Sequence, residues 1–88
     1  MEQGYFIGAF PFNFNDDTGK VVAGVKIFLC SPDKDYIGMA PVYTPYKRFP
    51  VVSQDSDVFA IARNLLFGDK VEFQIDRKGK LVKLSAII

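Results

Sequence analysis

The sequence predicts a small, mainly β barrel of five strands with one α-helix between the third and fourth. Three observations predict it. Residues 4–14 and 21–30 alternate in parity as strands do. Residues 55–67 are the clear stretch of apolar spacing i, i+3, i+4, i+7, i+8, the mark of an amphipathic helix. Residues 71–88 read as a closing hairpin around a tight turn.

The first strand is "GYFIGAFPFNF". Phe6, Phe10, Phe12 and Phe14 share one parity; such rings can stack bases, but period-two phenylalanines are more often core, and these are expected to face it. Pro11 cannot donate to a ladder, so the strand lies at an edge or breaks there. "NDDTGK" follows as a turn, with Gly19 free to take positive φ. The second strand, "VVAGVKIFLC", sets Val21, Ala23, Val25, Ile27 and Leu29 on an apolar face. Val22, Gly24, Lys26, Phe28 and Cys30 take the other, and Gly24 suggests a bulge or sharp bend. Pro41, Pro45 and Pro50 forbid a long strand through residues 36–52. A short strand near 36–40, an extended loop, and a second short piece near 47–52 are expected there.

The helix is predicted over 55–67. Val58, Ile61, Ala62, Leu65 and Leu66 form its apolar stripe, Ser53, Asp55 and Ser56 are candidate N-caps, and Gly68 is the natural residue past its end. In the closing hairpin Val71, Phe73 and Ile75 alternate with polar residues. Gly79 takes the left-handed place of the "DRKG" turn, and Val82, Leu84, Ala86 and Ile88 return on one face.

Strand, strand, strand, helix, strand, strand is the order of the OB-fold, a partly open Greek-key barrel that binds oligonucleotides and oligosaccharides. The closing "GDKVEFQIDRKGKLVKL", residues 68–84, resembles the last hairpin of small OB-type nucleic-acid-binding domains such as the cold-shock and ribosomal modules. Length and aromatic content are similar to the helix-destabilising proteins of filamentous phages. The resemblance implies a fold and a class of ligand, single-stranded nucleic acid. It assigns no individual residue.

Composition narrows the alternatives. A chain of 88 residues makes one domain, and its 49% hydrophobic and 15% aromatic content argues against disorder. One cysteine and no histidine leave no Ser-His or Cys-His nucleophile pair and argue against a zinc site. Cys30 ends an apolar run and reads as a core thiol. The acids Asp16, Asp17, Asp33, Asp35, Asp55 and Asp57 fall in predicted turns or at the helix start, where capping explains them. No phosphate-cradling glycine motif is present. An enzyme, a metal and a cofactor are therefore not expected. No apolar run nears the ~20 residues that span a bilayer, and no signal peptide is evident. A cytoplasmic protein is expected. The terminal "LSAII" has little to blunt a strand edge, so a homodimer is expected too.

The net charge of +1 announces no polyanion, but the distribution says more. Residues 37–54 hold Lys47 and Arg48 and no acid. After Asp76 come Arg77, Lys78, Lys80 and Lys83. Residues 42–50, "VYTPYKRFP", set Tyr43 and Tyr46 beside Lys47 and Arg48 in a proline-stiffened loop. Lys26 and Phe28 share the face of the second strand that would adjoin this loop in an OB-fold. The candidate nucleic-acid-binding residues are thus Lys26, Phe28, Tyr43, Tyr46, Lys47, Arg48, Arg77, Lys78 and Lys80. They suit a non-enzymatic binder of single-stranded DNA or RNA, of the kind phage and plasmid replication or repair systems use. The alternative is a protein-interaction module whose exposed rings meet a partner chain; for the tyrosines, the alternative to binding is pinning the loop.

Overall fold

A long hairpin dominates the computed structural model, which describes residues 2–87. Its arms are β1 (Glu2–Asn15) and β2 (Val21–Pro32). They pair antiparallel along nearly their whole length, from Tyr5 opposite Cys30 to Asn15 opposite Val21. The chain then forms two short strands, β3 (Met39–Pro41) and β4 (Val51–Val52), the helix α1 (Asp57–Ala62), and a second hairpin of β5 (Lys70–Ile75) and β6 (Leu81–Ala86).

One antiparallel path runs β3-β2-β1-β5-β6, and β4 pairs with β2 beyond β3. The described residues thus hold six strands, where five were expected. The prolines explain the difference. Residues 36–52 are divided into two short strands, both on β2, with a turn between them. The sheet is not a continuously closed barrel: an isolated parallel bridge, Val51 to Lys80, is what links β4 to β6.

The core lies inside this curved sheet. Val25, Ile27 and Leu29 of β2 meet Phe6, Val71, Phe73, Leu81 and Leu84, with Val58 and Ala62 of α1 closing one end. Val21 and Ala23, expected on the same apolar face, are exposed because that end of the hairpin extends past the other strands.

The helix is shorter than predicted. Ser56 caps it, its hydroxyl accepting from the Phe59 backbone N–H, and it ends at Ala62 rather than 67. Asn64 and Leu65 donate to Ile61 and Ala62 in tighter turns. The chain then leaves the helix axis to reach β1: Gly68 N–H donates to Phe6 O, and Phe6 N–H to Asp69 O. Leu66 and Phe67 are left exposed. Pairing with β1 outweighs the last turn or so of helix that the apolar stripe predicts.

A bulge corrects the first strand. Phe6 pairs with Leu29, but Gly8 pairs with Phe28, so Ile7 is the extra residue. Beyond it parity inverts. Ala9 and Pro11 oppose the buried Ile27 and Val25, while Phe10, Phe12 and Phe14 oppose Lys26, Gly24 and Val22 on the outer face. Phe6 alone of the four is core; Phe10 is 55% and Phe14 54% exposed. Gly24, expected at a bulge, instead permits close approach. A Cβ there would fall 2.9 Å from the Phe12 ring and 3.1 Å from Val51 Cγ1. A second shift, between Gln74 and Ile75, turns Val82 out of the expected apolar face, leaving Leu81 and Leu84 buried. Ala86 is exposed, and Ile88 lies outside the described residues.

Candidate nucleic-acid interface

Three turns of one design organise the surface. In the first, Asp16 Oδ1 accepts from the backbone N–H groups of Thr18 and Lys20, both at 2.9 Å. In the second, Asp76 Oδ1 accepts from Lys78 and Lys80 N–H, also at 2.9 Å. In the third, Thr44 Oγ1 takes the same place, accepting from Tyr46 N–H at 3.2 Å and Arg48 N–H at 3.4 Å. Each turn closes with the first residue donating to the carbonyl of the fifth, and the fourth donating back to the first. The fourth residue needs positive φ. Gly19 and Gly79 supply it at 81°, whereas the third turn uses Lys47 at 57°.

The second and third turns touch. A Cβ on Gly79 would lie 3.1 Å from Thr44 Cβ, and Tyr46 donates its hydroxyl to Arg77 O at 3.4 Å. Two basic segments separated in sequence therefore meet. Lys47 and Arg48 stand beside Arg77, Lys78 and Lys80, all exposed. Thr44 is buried at this contact, with its hydroxyl satisfied.

The outer face of the sheet continues from there. Phe10 pairs with Lys26, Lys26 with Val51, and Val51 bridges to Lys80, so three strands and the residue just before β6 contribute to one row. Lys26 and Lys80 stand two strand spacings apart, roughly 10 Å, with Val51 between them. On one side of this row come Phe12 and Phe14, their centroids 6.1 Å apart. On the other come Phe28, Phe49 and Tyr43. Phe49 packs edge-on to Phe28 at 4.8 Å and lies 5.0 Å from Tyr43. Gln54 ties the edges together, its Nε2 donating to Phe12 O at 3.0 Å and to Gly24 O at 3.3 Å.

All nine predicted residues thus lie on this face or on the two turns at its rim. Sequence reasoning missed Phe10, Phe12, Phe14, Phe49 and Val51. The polar Asn13 and Asn15 alternate with Phe12 and Phe14, which shows an amphipathic strand but not which face turns inward. Tyr43 and Tyr46 are exposed; the half-buried Phe49 is the ring that anchors the loop.

The acids stand apart from this chemistry. Asp16 is held below the usual carboxylate range, first by the Thr18 hydroxyl at 2.6 Å and then by backbone N–H donors, which is a turn-forming role. Among the described residues no group of three His, Cys, Asp or Glu side chains is placed to hold a metal. No helix there is long and apolar enough to cross a membrane. No protein-family model matches the chain, and no curated protein or solved structure is significantly similar to it.

Proposed function

We propose that this protein binds single-stranded nucleic acid, without catalysis, across the outer face of β1, β2 and β4. The observation that carries the reading is the row Phe10–Lys26–Val51–Lys80 with exposed rings on both sides of it. Rings offer every base a stacking surface, and cations offer the phosphates counter-charge. Phenylalanines left in water on a folded surface need a reason, since such rings are usually core.

The strand circuit supports an OB-like assignment. With β3 and β4 counted as one interrupted third strand, the pairings run from the first strand to the second, third, fifth, fourth and back to the first. The link between third and fifth is the parallel Val51–Lys80 bridge. The helix falls between the third and fourth strands so counted. In that fold the second and third strands bear the ligand; Lys26, Phe28 and Val51 stand there, and Phe49 lies in the loop just before Val51.

The test is fluorescence anisotropy of a labelled oligothymidylate at two salt concentrations. Phe10→Ala and Phe14→Ala should each weaken binding by about 1–3 kcal/mol if each ring stacks a base. Lys26→Ala should weaken it and flatten the log–log salt slope by about 0.7. No binding by wild type at ~100 μM in low salt would sink the proposal. One observation favours the protein-interaction alternative: Ile37 and Met39 are exposed apolar residues just before and at the start of the edge strand β3, in a segment where Asp33 and Asp35 outnumber the one cation, Lys34. A partner chain adding to that edge would leave the Phe10 and Phe14 variants at wild-type affinity.

A further inference from the structure

Past Phe28 the outer face deepens into a pocket of about 280 Å³, walled by Ile7, Phe28, Cys30, Met39, Pro41 and Phe49. We propose that it receives one nucleobase, at the end of the bound strand. This rests on the reading of the outer face as a single-strand platform and adds an end point to it.

Continuity is the first argument. Phe28 and Phe49 belong both to the aromatic row and to the pocket wall, so a strand following the rings arrives there. Construction is the second. The pocket is made by the two irregularities of the sheet, the bulge that carries Ile7 and the short edge strand that carries Met39 and Pro41. Bulges re-aim side chains and gather beside functional sites. Chemistry is the third. The walls offer two rings, a thioether and aliphatic groups, surfaces that favour a flat aromatic guest. The one polar side chain is the Cys30 thiol, a weak donor. Such a pocket reads the face of a base and not its hydrogen-bonding edge, so it accepts all bases.

The length is consistent. From the Phe14–Val22 pair to the Gly8–Phe28 pair is roughly 20 Å at strand spacing, and the pocket lies one step beyond. A site of about five nucleotides fits this run and falls near the short end for domains of this kind.

The chain has one cysteine, and it is half-buried in this pocket, so it reports occupancy directly. N-ethylmaleimide labelling of Cys30 is followed by mass spectrometry, free and with a five-nucleotide oligothymidylate whose binding is measured separately by anisotropy. At about ten times the Kd, labelling should slow about tenfold, in proportion to the free fraction. The same oligonucleotide lacking its base at one terminus should still bind yet leave Cys30 labelling at the free rate; only one of the two termini should show this. Met39→Asp, on an exposed position, should weaken binding about tenfold by analogy with loss of one stacked base, while Val82→Asp on β6 should not. Binding with no slowing of Cys30 labelling overturns the pocket and leaves the platform standing. Equal protection by both abasic oligonucleotides also overturns it. Absence of binding overturns the platform and the pocket together.

Discussion

Replacing Lys47 with glycine should make the protein more stable and a poorer ligand binder. Lys47 holds φ 57°, in the position that two sister turns give to Gly19 and Gly79. A residue with a Cβ costs about 1–2 kcal/mol in that region. Glycine would relieve this but add about 0.5–1 kcal/mol of unfolded-chain freedom. The net gain is about 0.5–1 kcal/mol, which for a domain of this size raises Tm by roughly 2–8 °C. The lost cation should make the salt slope for single-strand binding less negative by about 0.7. Gly19→Lys calibrates the strain, because that turn has the same bonds and nothing crowds a Cβ there; it should lower stability by about the amount Lys47→Gly adds. Lys47→Ala should lose affinity as the glycine variant does, without the gain in Tm. The assays are thermal unfolding and anisotropy at two salt concentrations. A lower Tm for Lys47→Gly refutes the strain. A higher Tm with unchanged affinity and slope refutes the idea that the strained lysine serves a ligand.

Other consequences are direct. Phe73, 1% exposed in the core, should cost about 3–5 kcal/mol when cut to alanine, while Phe14→Ala should cost under about 1 kcal/mol; equal shifts in urea midpoint would contradict their placement. Asp16 has a lowered folded pKa, so its contribution is present above the unfolded value of about 3.9 and is lost as pH falls through the folded one. The stability gap between wild type and Asp16→Ala should therefore narrow between about pH 5 and about pH 2, and a gap that widens on acidification refutes the turn-forming role. The strand path ends at β6, so we propose pairing of two copies there; light scattering that gives a monomer mass at ~100 μM counts against it.

Much of the fold was legible because its signals are local. The burial of Val25, Ile27 and Leu29, the turns at Gly19 and Gly79, the cap at Ser56 and the broken segment around Pro45 follow from period and turn chemistry. The helix end was not. Leu65 and Leu66 continue the apolar stripe, yet Gly68 and Asp69 bond to Phe6, a residue some sixty positions earlier in the chain. No local pattern contains that competitor. The division of the third strand was legible; its near-closure onto Lys80 was not, since it depends on a single long-range bridge.

The candidate site divides along the same line. Its basic rim could be read, because Lys47, Arg48, Arg77, Lys78 and Lys80 sit in turns that must be exposed. Its aromatic floor was misread through one residue. Without the bulge at Ile7, Phe10, Phe12 and Phe14 would share the inward face of Phe6, and the sheet would present Ala9, Pro11, Asn13 and Lys26 to solvent. With it, three rings cross to the side of Lys26 and Phe28. The proposed binding face therefore depends on a register shift that touches no ligand in the platform itself. Deleting Ile7 should remove the extra residue and leave Phe6 opposite Leu29 and Gly8 opposite Phe28 in a regular ladder. Phe10, Phe12 and Phe14 then stay on the outer face, and single-strand binding survives, weakened at most by the lost wall of the end pocket. A deletion variant that folds yet loses all single-strand binding in anisotropy would show that the outward register of the rings is not what the ligand uses.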